Sequence, residues 1–310
     1  MSSNNKDLSR RDFLSRGTKL ASGFFGAAAL AACSTTGSTM QSGGNQDAAM
    51  KFGLVTYLWG KDWELPALLR NCERAGVMGV ELRVDHAHGV SPALSAKERE
   101  LVRLRFENSP VTLVGFGTNY EFHSQDPDEL EANIDGAMDF IRLGHDVGAS
   151  GLKVKPNTIP DGASEEKTIE QIGKSLNRLA EFGEGMGQEI RVEVHGRITS
   201  RLPIMERIFD VADHPNVGVC WNSNDVDLED PGLEHNFQLV QDRLSAATHI
   251  RELNIGDYPY QDLFNLFVKA NYDGWILLEA RSHVPDRVVA MQEQRQLFES
   301  MVQKAGGRTA

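Results

Sequence analysis

The sequence comprises 310 residues, and its 44 acidic and 32 basic side chains produce a formal net charge of −12. A charge of this sign repels phosphate backbones and anionic lipid, so neither nucleic acid nor a membrane surface is an expected partner. The three cysteines, Cys33, Cys72 and Cys220, form no C-x-x-C pair and predict neither a structural zinc site nor a redox dithiol. A disulfide between Cys72 and Cys220 stays open as an alternative.

The N-terminal residues 1–33 resemble a bacterial export signal. Ser9-Arg10-Arg11-Asp12-Phe13-Leu14 is similar to the twin-arginine motif, and an apolar stretch follows over residues 20–32. As a helix this stretch would rise about 20 Å, too short for a hydrocarbon core of about 30 Å, which predicts a removable signal peptide. Leu30-Ala31-Ala32-Cys33 resembles a lipobox, which implies acylation of Cys33. Cleavage at an ordinary small-residue site is the alternative.

Residues 34–50 are rich in Ser, Thr, Gly, Gln and Asn and contain few apolar side chains. Such a composition cannot bury a core and predicts a flexible linker. A folded domain is expected over residues 51–306. The resemblance to the twin-arginine signal and to the lipobox implies export in the folded state. The expected location is therefore the periplasm or cell envelope, with membrane contact only through the N-terminal lipid anchor.

From Lys51 onward, short apolar or β-branched runs alternate with amphipathic helical patterns, as is typical of βαβ units and a parallel sheet. Eight such rounds in about 250 residues predict an α/β fold, a single (β/α)8 TIM barrel. The predicted strands cover residues 52–58, 79–83, 111–115, 151–155, 190–195, 217–221, 248–253 and 275–280. The clearest helical patterns cover residues 130–147, 166–185, 202–212, 260–270 and 286–304. Residues 116–125 are predicted to form a longer connection, as expected of a loop over an active site.

Four candidate ligands lie at or near the ends of consecutive late strands. These residues, Glu193, Asn222, His249 and Glu279, are separated by 29, 27 and 30 positions, each about one βα unit. In a (β/α)8 barrel the C-terminal strand ends converge on one mouth, so these side chains are predicted to be neighbours.

Three of these residues also have a purely structural interpretation. Alternation along the strand places Glu193 on one face with Arg191 and His195, and a buried carboxylate needs a partner such as an Arg or Lys. Glu279 would in the same way pair with Arg281. A lone histidine such as His249 is often a hydrogen-bonded core residue.

The motifs together resemble the xylose-isomerase-like TIM-barrel superfamily, which includes sugar isomerases, ketose 3-epimerases and endonuclease IV. The resemblance rests on V-E-V-H-G at 192–196, a polar residue after the sixth strand, H-I-R-E at 249–252, L-E-A at 278–280 and G-V-E-L at 79–82. It covers nearly the whole chain after the linker.

The resemblance implies one divalent metal ion (Mn, Mg, Co or Zn) held by Glu193, Asn222, His249 and Glu279. Asn222 stands where the ketose epimerases usually have Asp, and its carbonyl oxygen is a weaker ligand than a carboxylate. The nearby Asp225 is a candidate to restore the missing charge. The resemblance further implies that Glu193 and Glu279 move protons.

Several further polar residues are expected to contact a small carbohydrate substrate. His195 is a candidate catalytic auxiliary, and the candidate substrate-binding residues are Glu81, His86, Lys155, Asp225 and Arg251. For Lys155 the alternative is a salt bridge to Glu193. For His86, next to His88 in an H-x-H pair, the alternative is packing within the loop.

The predicted function is a metal-dependent isomerase or epimerase that removes a proton next to a carbonyl of a sugar or keto-sugar. Expulsion of a group β to that carbonyl would instead make the protein a lyase on oxidised glycosides. A non-catalytic carbohydrate-binding lipoprotein is a further alternative, favoured by Asn222. A phosphodiesterase like endonuclease IV is disfavoured by the negative charge and the few histidines. Free sugars are expected rather than phosphosugars, because the sequence contains no Gly-rich phosphate loop.

Overall fold

The computed structural model describes residues 49–310. The predicted export signal, Cys33 and nearly all of the predicted linker lie outside this range. The first strand begins at Ala49 and Met50 is buried, so the last two residues of the predicted linker belong to the folded domain. At the other end, the strand Arg308–Thr309 pairs with the first strand, just beyond the predicted limit at residue 306.

The predicted (β/α)8 architecture is confirmed. Eight parallel strands form one sheet in the order β6-β5-β4-β3-β2-β1-β8-β7, and a short ninth strand joins β1. The strands are β1 (Ala49–Val55), β2 (Gly79–Arg83), β3 (Thr112–Glu121), β4 (Gly151–Lys155), β5 (Glu189–Glu193), β6 (Val217–Cys220), β7 (Ala247–Ile250), β8 (Trp275–Leu278) and β9 (Arg308–Thr309).

Two isolated parallel bridges connect β6 with β7 and nearly close the sheet into a barrel. The bridges join Val219 with Leu244 and Asn222 with His249. The backbone N–H of His249 donates to the carbonyl of Trp221 at 2.7 Å. The last closing contact therefore lies directly beside two of the predicted metal ligands.

Within residues 49–310, eight α-helices surround the sheet, and five of them agree with the five predicted helical patterns to within three residues at either end. They are α1 (Leu65–Ala75), α2 (Ala96–Glu107), α3 (Pro127–Val147), α4 (Glu165–Glu184), α5 (Leu202–Val211), α6 (Leu233–Gln238), α7 (Tyr260–Lys269) and α8 (Arg287–Lys304). Asp286 caps the last helix by accepting hydrogen bonds from the N–H groups of Val288 and Val289. In residues 49–310 no helix is long and apolar enough to span a membrane.

The third unit differs from the sequence prediction. Residues 116–125 were expected to be a loop, but β3 continues to Glu121 and pairs with β4 as far as Lys155. The Thr118 hydroxyl donates to the Lys153 carbonyl at 2.7 Å, and Thr118 is fully buried. The polar residues of this stretch concealed the strand, although Phe116 and Tyr120 pack against Phe140 of α3.

Two apolar clusters stabilise the barrel, and they differ greatly in size. The large cluster lies between the sheet and the helices, whereas the small one contains only four buried residues, Val55, Val114, Ala247 and Leu277. Arg191 is also fully buried and donates to the Val114 carbonyl, the Ser150 hydroxyl and Glu189. A Cβ atom at Gly151 would lie 2.6 Å from the Arg191 guanidinium, so glycine is required there. Cys72 and Cys220 are both free and buried.

Candidate active site

The four predicted metal ligands come together at the C-terminal mouth of the barrel. Glu193 ends β5, Asn222 follows β6 by two residues, His249 lies in β7 and Glu279 follows β8 directly. All four are at most 2% exposed. Ligand atoms of Glu193, His249 and Glu279 lie within 4.8 Å of one another. The regular spacing in sequence therefore does correspond to one cluster in space.

The unpaired atoms of this cluster show whether a cation fits. The Asn222 amide N–H donates to Oε1 of Glu193 at 2.9 Å, which leaves its carbonyl oxygen Oδ1 free to face the cluster. Within residues 49–310, Asn222 Oδ1 and His249 Nδ1 are both buried without a hydrogen-bond partner. Unsatisfied buried acceptors are costly unless a donor or cation meets them. Two carboxylates, an imidazole and an amide oxygen fit a divalent ion.

Glu81 lies behind His249. Its carboxylate is fully buried, and His249 Nε2 lies 3.2 and 3.3 Å from the two carboxylate oxygens. A carboxylate in this place fixes the orientation of an imidazole and leaves Nδ1 for the site. A Cβ atom at Gly117 would lie 2.5 Å from Glu81 Oε1, so the next strand leaves space for it. Sequence analysis expected Glu81 to contact substrate; the structure places it against His249.

Lys153 is the site residue that sequence analysis missed. Its ammonium donates to Oε2 of Glu193 at 2.6 Å and to the Thr118 carbonyl at 3.1 Å, and the side chain is fully buried. Burial alone raises the pKa of Glu193, but the Lys153 ammonium and the neighbouring histidines outweigh it and lower that pKa far below its usual range. The expected alternative partner was Lys155. Alternation in G-L-K-V-K places both lysines on the inner face, which is the signal that could have identified Lys153.

Glu279 lies between two arginines. Arg281 donates to its Oε2 at 2.6 Å, and Arg83 Nη1 lies 3.6 Å from Oε1. Both guanidinium groups lie over the Tyr57 ring, 5.3 and 5.8 Å from its centre. The backbone N–H groups of Arg281 and Ser282 donate to Glu252, which holds this loop in place. The ion pair between Glu279 and Arg281, the structural alternative from sequence, is therefore present.

An open cavity of about 470 Å³ lies at the mouth. Its lining includes Asn157, His195, Asn224, Asp225, Arg251 and Arg281. His195 Nδ1 is buried without a hydrogen-bond partner among the described residues. Burial lowers the pKa of His195, and Glu193 opposes that effect only in part, so the neutral imidazole is favoured. The candidate catalytic auxiliary His195 and two candidate substrate-binding residues, Asp225 and Arg251, thus share this cavity.

His86 contacts Thr56, the residue directly after β1, and His88 makes contacts within its own loop. His86 Nδ1 lies 3.3 Å from the Thr56 hydroxyl, and burial together with His88 and Arg83 lowers the pKa of His86 to about 4. His88 Nε2 lies 2.8 Å from the Arg83 carbonyl, and its Nδ1 accepts from the N–H of Val90. These contacts match the loop-packing alternative for the H-x-H pair.

Asp227 supports the turn that carries Asp225. It is fully buried, and its Oδ2 accepts hydrogen bonds from the N–H of Asn224 at 2.8 Å and from the Tyr258 hydroxyl at 2.7 Å. Burial raises the pKa of Asp227 to about 7, although both hydrogen bonds act in the opposite direction.

The ion pair of Lys153 with Glu193 predicts a specific pattern of stability. Lys153→Met should lower the free energy of unfolding by about 3–5 kcal/mol, because it leaves the Glu193 carboxylate buried without a counter-charge. The double variant Lys153→Met/Glu193→Gln should recover most of this loss. Urea denaturation of chelator-treated protein at pH 7 measures both. A double variant no more stable than Lys153→Met would contradict the assignment.

The raised pKa of Asp227 predicts a dependence of stability on pH. Between about pH 4 and pH 7 the folded state retains a proton that the unfolded chain has lost, so this carboxyl destabilises the fold increasingly as the pH rises. Relative to the parent, Asp227→Asn should therefore gain up to about 4 kcal/mol of unfolding free energy from pH 4 to pH 8. Urea denaturation at several pH values measures the difference, and Asp225→Asn controls for the loss of an exposed carboxylate. A difference that is constant with pH would refute the prediction.

Solved structures with the same architecture are sugar epimerases or related proteins. A 3-keto-D-glucoside 4-epimerase from E. coli matches with a TM-score of 0.68 and 15% identity, over 81% of this chain and 99% of the epimerase. An L-ribulose 3-epimerase matches with a TM-score of 0.71 and 12% identity, over 83% and 96% of the two chains. The IOLI protein, solved with a bound zinc atom, matches with a TM-score of 0.68 and 14% identity, over 83% and 99%. At these identities the similarity demonstrates the fold.

No curated protein matches the sequence at a significant level. The sequence model of one family, described as the xylose isomerase-like TIM barrel, matches residues 69–301. This range contains all four residues of the cluster at the barrel mouth and seven of the eight barrel strands. The chain therefore belongs to the xylose isomerase-like TIM barrel family.

Proposed function

We propose that this protein is a divalent-metal-dependent sugar isomerase or epimerase that moves a proton on the carbon next to a carbonyl. The main support for the proposal is that two buried carboxylates, Glu193 and Glu279, lie close to His249 at the barrel mouth. The epimerases of similar fold support the class of reaction, since their names describe ketose and keto-glucoside substrates.

The proposed metal ligands are Glu193, Asn222, His249 and Glu279. A divalent ion in this place would orient the carbonyl and hydroxyl oxygens of a sugar and stabilise the negative charge that develops on proton removal. Glu81 holds the His249 ring so that Nδ1 faces the ligand position, and the Asn222 amide holds Oε1 of Glu193. The zinc in the IOLI structure supports a metal in this fold, although it does not identify the metal here.

The two glutamates are the proposed proton-transfer groups. Lys153 keeps Glu193 ionised, and Arg281 donates to Glu279 so that this carboxylate is held at the mouth. One carboxylate would take a proton from the carbon next to the carbonyl, and the other would return it from the opposite side. His195, Lys155 and Arg251 would hold substrate oxygens. Asp225, exposed at the edge of the cavity, would accept from a sugar hydroxyl.

A second candidate is a carbohydrate-binding protein without catalysis. It is favoured by the same ion pairs, because Lys153 and Arg281 already compensate the charges of Glu193 and Glu279 with no metal ion involved. The replacement of a carboxylate by Asn222 points in the same direction. Metal content separates the two candidates.

Metal binding and proton exchange test the proposed function. The mature protein, purified without chelator, should contain about one equivalent of divalent metal, and Glu193→Gln and His249→Ala should each lose it because each removes a ligand. His145→Ala, an exposed histidine on α3, serves as the matched control and should retain it. Elemental analysis measures the content. Keto-sugars are then incubated with the protein in heavy water, and deuterium at the carbon next to the carbonyl is measured by NMR.

The outcomes of that experiment are distinct. Exchange without loss of a substituent supports isomerase or epimerase activity, whereas release of a group β to the carbonyl identifies a lyase. A protein that binds no metal after reloading with Mn²⁺ or Mg²⁺ would refute metal dependence and favour the binding protein.

We further propose export by the twin-arginine route and lipidation at Cys33. In a bacterial host with this pathway, the full-length chain should incorporate labelled palmitate and fractionate with membranes. Cys33→Ser should lose the label, and Arg10→Lys/Arg11→Lys should leave the protein in the cytoplasm. Labelling that persists in Cys33→Ser would disprove the anchor site.

A further inference from the structure

The cavity above the glutamates is lined by more positive than negative charge. Arg197, Arg251 and Arg281 line it together with one acidic residue, Asp225. This excess contrasts with the net charge of −12 for the whole chain. A local positive potential in a molecule of negative net charge concentrates anions at the site.

The arginines differ in whether their charge is already compensated. Arg281 pairs with Glu279, and Arg197 pairs with Asp161 at 2.7 Å on the exposed rim. Arg251 forms no ion pair with any residue of the described range 49–310. Its side chain makes one long hydrogen bond, from Nη2 to Asn224 Oδ1 at 3.4 Å, and its Nε is buried without a partner. Arg251 therefore has most of its donors available to a ligand.

Lys155 is the second cation without a partner. It ends β4 on the inner face, and its half-buried ammonium makes neither a hydrogen bond nor an ion pair with the rest of residues 49–310. Lys153, two positions earlier on the same face, takes the ion pair with Glu193. A partly buried ammonium that is left unpaired is costly, unless a ligand compensates it.

The other cations at the mouth are compensated by carboxylates. Lys153 pairs with Glu193, and Arg83 and Arg281 lie within 3.6 Å of Glu279. Among the described residues, Asp225 is the one carboxylate that lines the cavity. Arg251 and Lys155 are thus two cationic side chains that the ion pairs of residues 49–310 leave available to an anion.

We propose that the substrate is an acidic sugar whose carboxylate is bound by Arg251. This inference rests on the proposed function and specifies its substrate class. The guanidinium can bind a carboxylate through two parallel N–H donors. Lys155, at the end of β4 on its inner face, holds a further substrate oxygen. The sequence has no Gly-rich loop to receive a phosphate, so a carboxylate is the favoured anion.

Binding of three matched ketoses to the metal-loaded protein tests the inference. D-fructose, D-fructuronate and D-fructose 6-phosphate differ at the terminal carbon, where they carry a hydroxyl, a carboxylate or a phosphate. By isothermal titration calorimetry, D-fructuronate should bind at least about tenfold more tightly than D-fructose, as expected for a charge-assisted hydrogen-bonded pair. Arg251→Gln should abolish this preference, and Arg251→Lys should restore part of it.

A control variant separates the local effect from that of total charge. Arg142→Gln removes one positive charge from the outer surface of α3 and should retain the preference for the carboxylate. Circular dichroism and thermal unfolding establish that each variant is folded. Equal binding of D-fructose and D-fructuronate, undetectable binding of D-fructuronate, tighter binding of the phosphate, or a preference that survives in Arg251→Gln would each overturn the inference.

The result is independent of the test of the proposed function. Binding is measured at equilibrium, whereas the proposed function requires deuterium exchange. Exchange on neutral keto-sugars without a carboxylate preference would refute only the acidic substrate. Tight binding of D-fructuronate without exchange on any keto-sugar would refute only the catalytic proposal.

Discussion

The buried ion pair between Lys153 and Glu193 is the interaction on which the site depends. A carboxylate inside a barrel is stable only with a compensating charge and complete hydrogen bonding, and Lys153 together with the Asn222 amide supplies both. The Thr118 carbonyl accepts from the same ammonium. Consequently β3, β4, β5 and the end of β6 are linked through one side-chain network in addition to their backbone pairing.

The same principle extends around the barrel interior. Glu81 pairs with His249, Glu279 pairs with Arg281, and Arg191 pairs with Glu189 beneath them. The apolar cluster of only four buried residues shows how little of this interior is hydrocarbon. Glycines at 117 and 151 provide the space that these polar groups need. Apolar packing between the sheet and the helices stabilises the fold, whereas paired charges occupy the candidate active site at the barrel mouth.

This arrangement has a consequence for metal binding. By the resemblance to ketose epimerases, Asn222 stands where a carboxylate is usual, and Lys153 contacts one oxygen of Glu193. Both features reduce the negative charge available to a cation and would weaken its binding. Arg251 and Lys155, unpaired among the described residues, increase that effect. A bound anion would compensate these two cations.

The class of fold, the existence of all eight barrel strands and the four residues that cluster at the mouth could be predicted from the amino-acid sequence. Alternating βα units predict a barrel, because each unit must bury one face. The near-constant spacing of Glu193, Asn222, His249 and Glu279 predicts that these residues lie at the same end of the barrel. The resemblance to the superfamily added the expected role of each residue. The ends of the strands and the length of β3 were less predictable, because the polar residues in the second half of β3 are also typical of a loop.

The pairing of the charged side chains could not be predicted in this way, because it depends on the folded chain. Lys153 and Lys155 have the same side-chain direction and the same chemistry, and nothing in the sequence indicates which one reaches Glu193. Likewise, Glu81 contacts His249 from a position 168 residues away, and Arg251 has no carboxylate partner among residues 49–310. Pairing depends on distances of a few tenths of a nanometre between strands that are remote in sequence. Periodicity specifies the face of a strand on which a side chain lies, and the closed barrel specifies its partner.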